Sequence, residues 1–130
     1  MTPLSDSQRS LLTLLLSIDF PGVDELRAQL PFASVEDETV NTGFLICVAP
    51  GAPAAPVVSR IPVEARCSEQ RLNDEGEPVT AFFQVLLAVV DGYLAEVDVL
   101  VAGIDEGVTS LPPLDAFSLV PTPALRRPVS

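Results

Sequence analysis

The segment 80–104, TAFFQVLLAVVDGYLAEVDVLVAGI, constrains the fold of this chain more than any other. Two long runs of β-forming residues flank Asp91-Gly92, and that dipeptide supplies the positive φ at both central positions that a type I′ turn requires. The segment therefore predicts a long β-hairpin. A regular two-residue loop sets Val90 opposite Tyr93, then Ala88 with Ala95, Leu86 with Val97, Gln84 with Val99 and Phe82 with Val101. In that register one face is almost wholly apolar and faces a core. The other carries Phe83, Val85, Leu87, Val89, Leu94 and Leu100 together with the carboxylates of Glu96 and Asp98.

The remaining segments supply partners for this hairpin. Residues 6–17 follow the N-cap candidates Ser5, Asp6 and Ser7, and Leu4, Leu11, Leu12, Leu15 and Ile18 recur at helical spacing. Asp19-Phe20-Pro21-Gly22 breaks that helix. Val23, Leu26 and Leu30 then space out a second one, with Asp24 and Glu25 in its first turn and Pro31 at its end. Residues 32–40 are ambiguous, whereas 43–48 read as a short buried strand. In residues 61–72, Ile61, Val63, Ala65 and Cys67 alternate with Glu64, Arg66 and Ser68, the pattern of a half-buried antiparallel strand. The stretch PGAPAAP, 50–56, is a small-residue connector, 73–78 a solvated polar turn, and 114–120 a short strand or a cover for the sheet. With 130 residues, 48% of them hydrophobic, the chain suffices for one core. The expected fold is α+β, with two N-terminal helices packed on one face of a four- to five-stranded antiparallel sheet. Residues 1–120 form a single domain and 121–130 a Pro-rich tail holding Arg126 and Arg127.

The composition excludes several chemistries. All 7 basic residues are arginine, and the chain contains no Lys and no His. Imidazole general bases, Ser-His-Asp systems, His-ligated metals, Schiff bases and a P-loop lysine are therefore out of reach. Cys47 and Cys67 cannot build a four-thiolate zinc site, and both read as buried free thiols. The glycines follow no dinucleotide- or phosphate-binding spacing. The turn 73–78 lacks the ligand spacing of an EF-hand loop. No catalytic, cofactor or metal residue is assigned.

Carboxylates dominate what is left. The formal charge of −11 opposes nucleic-acid binding, which rests on clustered cations, and steers a basic protein instead. Glu96 and Asp98 alternate onto one strand face and Glu64 joins them from the neighbouring strand, with Arg66 and Arg71 within reach as ion-pair partners. Tyr93 packs beside the turn. The candidate binding face comprises Glu64, Phe83, Val85, Leu87, Glu96, Asp98 and Leu100. Left uncovered, its apolar members favour a homodimer.

Three groups of residues resemble a family of small uncharacterised actinobacterial proteins: Asp19-Phe20-Pro21-Gly22 with Leu26-Arg27-Ala28-Gln29, then Ile61-Pro62-Val63-Glu64-Ala65, then Val90-Asp91-Gly92-Tyr93-Leu94-Ala95-Glu96-Val97. The resemblance implies the helix-helix-sheet order and no activity. The functional expectation is a non-enzymatic cytoplasmic protein-interaction module that self-associates, with no membrane span, nucleic acid or cofactor. Its alternatives are an acidic inhibitor or immunity-type protein for a basic partner, and a ligand-binding protein or enzyme built on Glu64, Glu96 and Asp98.

Overall fold

The computed structural model describes residues 1–56, 58–104, 108 and 110–121. The tail with Arg126 and Arg127, and Gly107, lie outside the described residues. Two helices precede most of the sheet: α1 spans Asp6–Leu15 and α2 spans Val23–Ala28. Ser5 and Gln8 close a reciprocal capping box on α1, the Gln8 N–H donating to Ser5 Oγ at 3.1 Å and the Ser5 N–H to Gln8 Oε1 at 2.9 Å. Gly22, at φ 91°, turns the chain into α2 in a conformation that costs other residues strain.

The strands are β1 Thr2–Pro3, β2 Ala33–Glu38, β3 Phe44–Val48, β4 Val63–Leu72, β5 Pro78–Val90, β6 Tyr93–Ala102 and β7 Ser118–Pro121. They form one sheet in the order β1-β2-β3-β6-β5-β4-β7, with all neighbours antiparallel. Seven strands among the described residues replace the four to five expected. The additional ones are short and lie toward the edges, too brief to show periodicity. Pro3, the Glu36-Asp37-Glu38 run and Pro121 also mark the protected edges that discourage further pairing.

The Asp91-Gly92 turn is of the expected type, with φ 54° and 83°. Val90 pairs with Tyr93 and Val89 with Leu94, but Ala88 pairs with Glu96, so Ala95 is an extra residue in a β-bulge. Every later pair differs by one from the expected register: Leu87 with Val97, Val85 with Val99, Phe83 with Val101. The expected faces are corrected accordingly. Phe83, Val85 and Leu87 turn into the core with Val97 and Val99, while Glu96, Asp98 and Leu100 share the other side with Ala88, Leu86 and Gln84. The core also takes in Leu11, Leu12, Leu15 and Leu16 from the first helical segment and Val23 and Leu26 from α2, all in one cluster with Phe44, Val63 and the buried side of β5 and β6.

A single buried polar side chain ties three segments of this core together. Gln29, following α2, is fully buried. Its Nε2 donates to the carbonyls of Pro53 at 2.7 Å and Gly92 at 2.8 Å, and its Oε1 accepts from the Leu94 N–H at 2.9 Å. The Ala55 N–H donates to the same Gly92 carbonyl at 2.9 Å. The PGAPAAP connector is therefore a packed strap across the hairpin tip. Its small residues follow from the close approach: a Cβ added to Gly92 would lie 2.6 Å from the Ala55 oxygen.

Candidate functional site

The side of the sheet opposite the core collects the charged candidates. Strand pairing arranges them in cross-strand rows: Glu64 beside Leu86 beside Asp98, then Arg66 beside Gln84 beside Leu100, and Ala88 beside Glu96 beside Leu45. Phe82 and Leu100 are exposed at 55% and 46%, Val90 is exposed beside the turn, and Leu45, Leu86 and Ala88 are half-buried. Of the residues expected on one binding face, Glu64, Glu96, Asp98 and Leu100 are brought together here. Phe83, Val85 and Leu87 lie on the opposite side, at 2% exposure or less. The apolar contribution comes instead from Leu45, Leu86 and Phe82, which replace them because of the Ala95 bulge.

The carboxylates differ in how they are satisfied. Glu64, with its side chain only 13% exposed, accepts from Arg66 Nη2 on one oxygen and from Gln84 Nε2 on the other. Such a pair on a partly buried acid is held by geometry as well as charge. Glu96 and Asp98 are half-buried, yet neither carboxylate forms a hydrogen bond or ion pair with any described residue. Arg71, expected near them, pairs with Glu69 and stacks on the Phe83 ring with its guanidinium carbon 4.9 Å from the centroid, on the core side. Tyr93 is partly exposed beside the turn, as a cross-strand neighbour of Val90.

Other candidates resolve into structure. Cys47 pairs across from Ser34 on the open side, whereas Cys67 pairs across from Phe83 on the core side, with β6 and β5 between their strands. Both are free thiols, and a bond between them is geometrically excluded. Burial, and secondarily the Glu69 carboxylate, push the Cys67 thiol above its ordinary pKa. In the turn after β4, Asn73 Oδ1 accepts the N–H groups of Glu75 and Glu77, so that oxygen organises the turn.

Two clefts border the sheet. One, of about 640 Å³, is walled by Arg66, Phe82, Gln84 and Leu100 with Ala116 and Ser118. The larger, of about 960 Å³, lies between the first turn of α1, the 39–43 loop and Pro112-Pro113. Glu64, Glu96 and Asp98 line neither. Among the described residues no group of three or more His, Cys, Asp or Glu could hold a metal ion. No described helix is long and apolar enough to cross a membrane. Compared with protein-family models, curated proteins and solved structures, the chain has no significant match to any of them.

Proposed function

We propose that this chain is a non-enzymatic, cytoplasmic protein-interaction module that docks a partner on the open side of its sheet, the two helices closing the other side. The observation that carries this reading is the exposure of Leu100 and Phe82 beside half-buried Leu45 and Leu86, an apolar ribbon on a sheet side to which no core residue belongs. Catalysis draws no support from the same side. Its carboxylates sit on a broad surface, and Glu64 and Asp98 are two strands, or about 10 Å, apart with Leu86 between them. The resemblance to small actinobacterial proteins adds no activity to this reading.

Self-association through this side is the second reading. The apolar patch that favours it in the sequence is Phe83, Val85, Leu87 and Leu100, of which the first three are in the core and Leu100 alone is exposed. What remains is interleaved with acids, which a second copy would set against its own. A heterologous partner suits the surface better.

The test compares the tagged chain with a Phe82→Ser/Leu100→Ser double variant, both checked for native circular dichroism. Wild type is expected to retain from lysate a protein that the variant loses, since burial of two such side chains contributes about 1.5–3 kcal/mol each. Retention of the same proteins by both would overturn the proposal. Light scattering on the eluted species separates a bound partner from a second copy.

A further inference from the structure

We infer that the open side recognises a cationic segment of a partner protein, carrying two Arg or Lys side chains over Glu96 and Asp98 and an apolar side chain over Leu100. This deepens the docking reading above and rests on it.

Three observations on β6 converge. Glu96, Asp98 and Leu100 occupy alternate positions of one strand, so they form a straight stripe with about 7 Å between successive side chains. Glu96 and Asp98 are half-buried beside Leu45, Leu86 and Ala88, and their carboxylates have no cationic or hydrogen-bonding partner among the described residues. Carboxylates with no counter-charge of their own are open to an incoming guanidinium or ammonium, whose charge complements theirs. Glu64, by contrast, is already satisfied by Arg66 and Gln84, so it closes one flank of the stripe without competing for the incoming cation.

Charge selects the occupant. With Glu64, Glu96 and Asp98 against Arg66, this side carries an excess of negative charge, and the whole chain stands at −11. A second copy would double that excess in one interface. A basic partner is steered toward it and neutralises it on docking. The complementary pattern in an extended partner is cation-x-cation-x-apolar, which presents its side chains with the same two-residue period as β6.

The probe is the peptide acetyl-Ser-Arg-Thr-Arg-Thr-Leu-Ser-amide, titrated into the ¹⁵N-labelled full chain at low salt, where the screening length is about 30 Å at 0.01 M. The largest amide shifts are expected at Glu96, Asp98, Leu100, Leu86 and Leu45. Glu96→Gln/Asp98→Asn is expected to weaken binding about tenfold or more, whereas Asp74→Asn/Glu75→Gln, which removes the same charge from an exposed turn, changes it less than about twofold. Shifts centred on the 74–77 turn or on Glu36-Asp37-Glu38, an equal loss in both double variants, or no saturable shift would overturn the inference. If the Phe82→Ser/Leu100→Ser variant loses the lysate partner while Glu96→Gln/Asp98→Asn keeps it, the docking face stands and the cationic segment falls. Retention by both variants removes both.

Discussion

Replacing Gln29 tests whether one amide holds the strap, the second helix and the hairpin tip in register. Gln29→Met preserves the length of the side chain and removes all three hydrogen bonds. It leaves the Leu94 N–H and the Pro53 carbonyl without partners, while the Gly92 carbonyl keeps the Ala55 N–H. An intramolecular hydrogen bond contributes about 1 kcal/mol net, and an unsatisfied buried group costs about 1–3 kcal/mol, so the loss is set at about 3 kcal/mol. For a chain of this size that corresponds to about 12 °C in Tm, at about 4 °C per kcal/mol. Gln29→Ala adds a cavity and costs more. Gln29→Glu adds a sign that packing alone does not. A carboxyl facing two carbonyls has its folded pKa raised above the unfolded value of about 4.3, so its contribution is present below that pH and is lost as pH rises. The assay is thermal unfolding at several pH values with hydrogen exchange at the Leu94 amide. A Gln29→Met loss under about 1 kcal/mol, with Leu94 still protected, would refute the reasoning.

Two further outcomes follow from local chemistry. Thr42 is a β-branched residue at φ 72°, and its hydroxyl is buried without a partner. Thr42→Gly removes both costs against a smaller entropic penalty and is expected to raise Tm by about 3–5 °C, for a net gain of about 1 kcal/mol; an unchanged or lower Tm in calorimetry would count against it. Cys67, with its thiol pKa raised, is expected to react with iodoacetamide more slowly in the folded chain than in the urea-unfolded chain at pH 7.5, the gap narrowing as pH rises. Equal rates in the two states at that pH would show that its environment does not suppress the thiolate.

Long elements were legible in the sequence because their signals are redundant. The helix over 6–17 has caps and repeated leucines and appears as Asp6–Leu15, and the 61–72 alternation appears as Val63–Leu72 with the same two faces. Asp91-Gly92 defined its turn because few dipeptides adopt positive φ twice. The two-residue β1 has no signal of its own, the acidic β2 falls in the ambiguous stretch 32–40, and β7 falls at the end of 114–120, which reads equally as a short strand or a cover for the sheet. Their pairing is decided by the neighbour that receives them, Val35 and Ser34 for β1 and residues 63–66 for β7. Gln29 carries no local signal either. Its partners lie 24, 63 and 65 residues away along the chain.

One residue, Ala95, decides which side Glu96 and Asp98 face, and its phase is written in the strand. Phe83, Val85, Leu87 and Val89 keep a strict period of two, but Leu94 and Val97 on the opposing strand are three apart, and between them stand Ala95 and Glu96. A strict register satisfies Leu94 at the cost of turning Glu96 and Asp98 toward the side of Val85 and Phe83, where two unpaired carboxylates would be desolvated without compensation. An extra residue at Ala95 lets Leu94, Val97 and Val99 all enter the core. The same insertion delivers Glu96, Asp98 and Leu100 together to the open side. Burial on one side of β6 and the acidic, apolar stripe on the other therefore have a single cause, so a change that removed the bulge without compensating for the phase would disturb the core and the proposed docking surface at once.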